Sequence, residues 1–329
     1  MNLNTFSVYR TELMGIATIL IIVCHMPVFG VVMPHWLQTI LGCCGFGVDI
    51  FLFLSGMGMY NSYVTSRMKN KTVLRWLAKR YLRIVVPLVL IVGIISICPP
   101  PHNAHLTLGS LFLETFGFGS FFGHSPLWFV TCILTLYLLT PVFHPLLVSK
   151  YKWIWLTGIS LLCYVYAYLP PSDGVFKFML SRWPVYFLGY VLSDAINSKK
   201  KLSVSLLAGL PLVLYAALYV LNHKYGFHFS LFGLQGIAVL TVFSLVLEKC
   251  SSERILAFLR FMGRLSLESY ITNEYVIRTL MAFSWTFFTV NINYGNWTCY
   301  IVGTVCCILL SFVVNKVTNR ITFKINRFL

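Results

Sequence analysis

Charge is scarce in this chain. Only 10% of its 329 residues are charged, and nine of them are acidic. A soluble domain needs a charged exterior, so this scarcity excludes an ordinary globular fold. Cysteine patterning is missing too. The ten cysteines lie mostly within apolar runs, two pairs are adjacent (Cys43–Cys44, Cys306–Cys307), and no Cys-x-x-Cys occurs. Neither a zinc site nor a disulfide framework is suggested, and no metal is expected. No internal repeat, disordered linker or attached soluble domain interrupts residues 1–329, which read as a single transmembrane domain. The first apolar run lacks an Ala-x-Ala-like cleavage site and carries a mid-span His25, so it reads as a helix of the mature protein rather than a cleaved signal.

What is there is apolar. Hydrophobic residues make up 58% of the chain, and the mean hydropathy is +0.80. Repeated apolar stretches of about 20 residues indicate an all-α polytopic membrane protein, with membrane lipids as its surroundings. Ten spans are expected: Leu13–Val31, Cys44–Tyr63, Ile84–Cys98, Leu127–Phe143, Trp153–Leu169, Val185–Ile196, Val204–Asn222, Leu231–Leu247, Leu267–Thr289 and Thr298–Asn315. The third and sixth are short. The net charge of +16 invites a nucleic-acid reading, but the basic residues stand in short clusters between apolar runs, as orientation signals do. With both termini cytoplasmic, 21 of the 25 lysines and arginines fall on the cytoplasmic side; Lys177, Arg182, Lys224 and Arg278 are the exceptions. The longest loop, Pro99 to Pro126, is rich in aromatics and glycine and lies outside.

Against this background the intramembrane ionisable residues stand out. His25 sits within the first apolar run. A buried imidazole in a membrane faces a bundle interior or wet cavity, and histidine is suited to moving protons near neutral pH. The connection after it centres near Leu37, with His25 about twelve residues before and Asp49 about twelve after. An antiparallel hairpin would bring the two to similar depth, with Asp49 orienting the imidazole of a catalytic His25; packed, satisfied polar groups are the alternative. Arg80 and Arg83 are three apart on the cytoplasmic side and would share a helix face suited to donor phosphates, or to plain membrane anchoring. Glu274 and Arg278 are spaced i, i+4 in the ninth span, an order that favours mutual pairing at the edge of a cavity. Arg10 and Trp128 open the first and fourth spans, where donor binding and cavity lining are the functional readings and an interfacial anchor and an aromatic-belt residue the ordinary ones.

Several segments then resemble, in order, the acyltransferase 3 family of bacterial membrane acyltransferases. They are Glu12 through His25; Gly47-Val-Asp-Ile-Phe-Leu-Phe-Leu-Ser-Gly56; Arg80-Tyr-Leu-Arg-Ile-Val-Val-Pro87; Leu127-Trp-Phe-Val130 leading to Tyr137-Leu-Leu-Thr-Pro141; Trp183-Pro-Val-Tyr-Phe-Leu-Gly-Tyr190; and Met262-Gly-Arg-Leu-Ser-Leu-Glu-Ser-Tyr270. The resemblance implies ten helices in a bacterial cytoplasmic membrane. It implies transfer of an acyl group, often acetyl, from a cytoplasmic donor such as acyl-CoA to a hydroxyl of a cell-surface or lipid-linked carbohydrate. It also implies that His25 matches the essential histidine and that Arg80 and Arg83 match the basic donor-side motif. Two positions depart from the pattern. Met14 stands where the family usually has an arginine, with Arg10 one helical turn earlier, and Asn273 stands where it often has a second histidine. A transporter or flippase of a lipid-linked glycan, using the same buried polar groups, is the alternative function.

Overall fold

The computed structural model describes residues 1–97, 108–122, 127–168, 174–225, 232–277, 285–287, 290–292 and 297–327. Helices dominate them. Five, Arg10–Val28, His35–Met68, Trp128–Leu147, Ser205–Asn222 and Trp297–Asn326, are long and apolar enough to cross a bilayer. Lys152–Tyr168 and Trp183–Asn197, with 17 and 15 residues, are shorter than the roughly 20 residues of a full-thickness span.

The third span, short by its apolar run, extends into its flank: its helix runs Val73–Ile97, because the basic segment before Ile84 continues the same helix. One expectation needs correction. The ninth span does not run to Thr289 as a helix. Ser266–Thr272 leads into a π-helical turn over Asn273–Ile277, and Trp285–Phe287 pairs antiparallel with Val290–Ile292; aromatic and β-branched residues favour that extended form. Between Pro99 and Pro126, Leu108–Thr115 is helical.

The chain divides into two units. The first comprises Met1–Ala17, Phe46–Val73 and Thr135–Arg264. Its centre is the contact between the helices Gly47–Met68 and Trp183–Asn197. A Cβ on Gly56 would collide with the Tyr186 carbonyl, and one on Gly189 with the Phe53 carbonyl, so backbone meets backbone there. Small residues permit such close approach where lipid offers no hydrophobic drive for helix association. Hydrogen bonds from Tyr186 to Thr140 and from Tyr190 to His144, both 2.7 Å, join Trp128–Leu147 to this pair.

The second unit comprises Thr18–Gly45, Leu74–Leu134 and Leu265–Leu329. Its longest helix, Trp297–Asn326, is apolar outside and polar inside. Ile301, Val305, Leu309 and Val313 are exposed, whereas Ser311, Thr318 and Cys307 are buried. That inversion suits a helix whose outer solvent is lipid. Thr272 and Ser311 hydroxyls meet at 2.8 Å across it, and Trp297 Nε1 donates to the Val32 carbonyl at 2.8 Å.

Candidate active site

His25 lies in the last turn of Arg10–Val28, and the local sequence fixes where that turn ends. The Val31 amide donates to the Met26 carbonyl and the Gly30 amide to the Pro27 carbonyl, while Gly30 adopts φ +80°. This is a Schellman ending, with glycine in the left-handed position that side chains disfavour. Val31 and Met26 then pack in one apolar cluster with Phe29, Ile277 and Tyr300. The Tyr300 hydroxyl donates to the Ile22 carbonyl one turn before His25. The imidazole is thereby held from its own helix end and from the C-terminal helix.

Both ring nitrogens are engaged. Nδ1 is 2.8 Å from Asn273 Oδ1, and Nε2 is 3.1 Å from Glu274 Oε1. The side chains of His25 and Glu274 are 16% and 8% exposed, so the pair is largely withdrawn from solvent. The Phe29 ring meets the imidazole edge-on at 5.6 Å. Asn273 and Glu274 are adjacent in sequence and in a regular α-helix would point about 100° apart. They open a π-helical turn and reach the same imidazole at its two different nitrogens. An imidazolium donates to both facing oxygens. With the amide turned by half, Asn273 Nδ2 would donate to a bare Nδ1 while Nε2–H still bonds Glu274.

A second polar group lies in the same unit. Arg83 Nη1 donates to Asn319 Oδ1 at 2.8 Å, Asn319 Nδ2 to Asn315 Oδ1 at 2.9 Å, and Asn315 Nδ2 to Glu268 Oε1 at 2.9 Å. Arg83 Nη1 stands 3.9 Å from that same Glu268 oxygen, which closes the ring. Glu268 is buried, while the Arg83 side chain is 42% exposed. Arg80 lies three residues earlier on the same helix and is half-buried.

The expected dyad is not formed. Asp49 belongs to the first unit, is fully buried, and accepts from Arg182 Nη1 at 2.6 Å. The hairpin connection runs through Gly30 to Pro34, and Leu37 is already helical, so the equal spacing that paired Asp49 with His25 does not hold. Glu274 faces His25; Arg278, its expected partner, lies outside the described residues. Arg10 donates from Nε to the Leu54 carbonyl at 3.3 Å, in a niche that Gly58 leaves open. Trp128 opens its helix half-buried, with its ring 6.3 Å from that of Phe129.

Sequence reasoning missed Asn273 as the partner of His25, Arg182 as the partner of Asp49, and Glu268. Arg182 carried a signal: it is one of the few cations the charge pattern leaves off the expected cytoplasmic side, and a lone carboxylate in a span requires one. Glu268 carried a weaker one, as an acid beside an apolar run. Asn273 carried none, since an amide is an ordinary packing group.

No curated protein and no solved structure matches the chain. The family model of the acyltransferase domain does, over residues 13–316, nearly the whole length. With five helices long and apolar enough to cross a bilayer and this family match over nearly its whole length, the chain belongs to the acyltransferase 3 family and is a membrane acyltransferase.

Proposed function

We propose that the protein moves an acyl group, acetyl above all, from a cytoplasmic acyl-CoA to a hydroxyl of a cell-surface or lipid-linked carbohydrate. In this reading it spans a bacterial cytoplasmic membrane ten times with both termini inside. The observation that carries it is the engagement of both His25 nitrogens by Asn273 and Glu274. Such a ring can act as a general base whose positive charge is already countered.

The acceptor must reach one nitrogen. A hydrogen bond to a neutral amide contributes about 0.5–1.5 kcal/mol net, and one to a charged group about 1.5–3 kcal/mol. Nδ1 is therefore the easier position to open, with Asn273 giving way to the acceptor hydroxyl and Glu274 remaining on Nε2. The hydroxyl oxygen bonds to the thioester carbonyl carbon as its proton passes to His25. The C–S bond breaks, and the thiolate recovers that proton as free thiol. Arg83, held by Asn319 and Glu268, and Arg80 would bind donor phosphates, with the flexible pantetheine arm supplying reach toward His25. The transporter alternative is set aside, because the family is one of acyltransferases.

The test is mass spectrometry of cell-envelope glycans from a deletion strain complemented with wild type or His25→Ala at equal membrane levels. Acyl mass restored by wild type alone supports the reading. Equal restoration by His25→Ala excludes His25 as the base, and unchanged glycans in the deletion strain overturn the carbohydrate acceptor.

A further inference from the structure

The helix Glu253–Arg264, in the first unit, has three faces, each with different chemistry. Leu259 and Gly263 are buried. A Cβ on Gly15 would strike the Leu259 carbonyl and one on Gly263 the Thr11 carbonyl, so this face is fixed backbone-to-backbone on the start of the His25 helix. Arg260 adds an ion pair to Glu12 at 3.3 Å. A second face, spaced 4-3-4, carries Glu253, Ala257, Arg260 and Arg264. On the flank between them Ile255 is 52% exposed, Phe258 54% and Phe261 38%, with Arg254 on the same side.

A water-bathed helix does not hold two phenylalanines and an isoleucine open beside a stripe of arginines. A helix lying in the plane of a membrane surface does, with its apolar flank among the upper acyl chains and its arginines at headgroup level. The charge selects the lipid. Three arginines stand against one glutamate, and that glutamate, Glu253, is paired with Arg260 within the helix. Lys249, exposed at the end of the preceding helix, adds to the same sign. We propose that Glu253–Arg264 is an interfacial helix that binds anionic phospholipid headgroups through Arg254 and Lys249, while Ile255, Phe258 and Phe261 insert beneath them. Because its inner face grips Thr11 and Gly15, the lipid surface becomes part of what holds the root of the His25 helix.

The test uses the full chain in nanodiscs of phosphatidylglycerol and phosphatidylcholine, with an environment-sensitive fluorescent amino acid at position 258. Quenching by doxyl-labelled lipid, with little quenching by aqueous iodide, is expected. Quenching by iodide alone means a water-bathed flank and overturns the proposal. Shielding from both quenchers means a protein surface, a second copy included, and overturns it equally. Native mass spectrometry of retained lipid supplies a second readout. Each basic residue near an anionic surface is expected to favour phosphatidylglycerol roughly fivefold. The Arg254→Gln/Lys249→Gln variant should therefore lose most of the preference for phosphatidylglycerol over phosphatidylcholine at this site. An unchanged preference refutes the headgroup assignment.

Discussion

Asp49→Asn should damage folding and leave the chemistry nearly intact. Asp49 and Arg182 meet at 2.6 Å with 0% and 5% of their side chains exposed. The helix Phe232–Lys249 closes over the carboxylate, where a Cβ on Gly236 would stand 2.7 Å from the Asp49 Cβ. Removing one partner of a buried pair strands the other charge and costs about 3–5 kcal/mol. Asparagine keeps an oxygen for Arg182 to donate to, so Asp49→Asn belongs near the lower end and Asp49→Ala near the upper. Against a total stability of about 5–15 kcal/mol, either is a large fraction. At roughly 2 °C per kcal/mol for a chain of this size, the midpoint falls by about 6–10 °C. Replacing both partners by apolar groups, Asp49→Leu with Arg182→Met, should recover most of the loss, because nothing charged is left buried.

The assay is the thermal midpoint of purified protein, followed by size-exclusion chromatography after heating, beside donor-dependent acyl transfer per folded molecule. Transfer by Asp49→Asn should stay within about threefold of wild type, since less than 1 kcal/mol of barrier is at stake. A variant with the wild-type midpoint and no transfer would refute this reasoning and return Asp49 to the chemistry.

Three further outcomes are expected. Glu274→Gln keeps the shape and the hydrogen bond to His25 but loses the charge. The difference between a charged and a neutral bond, about 1–1.5 kcal/mol, corresponds to a roughly tenfold lower kcat, and an unchanged kcat would remove Glu274 from the site. Glu268→Gln should raise the donor KM two- to fivefold with little change in kcat. The pair it forms with Arg83 is partly solvent-screened and contributes at most about 1 kcal/mol; a fall in kcat alone would place Glu268 elsewhere in the reaction. Gly56→Ala drives a methyl group into the Tyr186 carbonyl. It should cost about 1–3 kcal/mol, read as a lower thermal midpoint, and an unchanged midpoint would mean that the two helices are free to separate.

The helices were legible because apolar runs are their own signal, but their ends were not. Thr298–Asn315 extends to Asn326 because Lys316, Asn319 and Arg320 continue the helix beyond its apolar stretch. The helix that carries Arg80 and Arg83 likewise starts before its apolar run, at Val73, and includes the basic residues from Arg75 onward. His25 was legible because a titratable group in a span is costly wherever it lies. Its partners were not, because depth was inferred from a connection centred on Leu37, and a Schellman ending at Gly30 moves that connection toward the N-terminus. The i, i+4 spacing that offered Arg278 to Glu274 gave no sign of His25 as a partner: Glu274 lies in a π-helical turn and faces the imidazole.

That turn carries the strongest structural argument for function. Ser266–Ile277 bears Glu268, which holds Arg83, and then Asn273 and Glu274, which hold His25. One short run of chain thus supports both the proposed donor contact and the proposed base. A π-helical turn is a less favourable winding than an α-helical one and survives mostly where a site needs it. Here the need is geometric. Removing its extra residue would restore regular winding and rotate the following side chains by about 100° relative to those before. Glu268, ahead of the turn, and the side chains the turn carries would lose their present relation, so one run of chain could no longer serve both Arg83 and the proposed base His25.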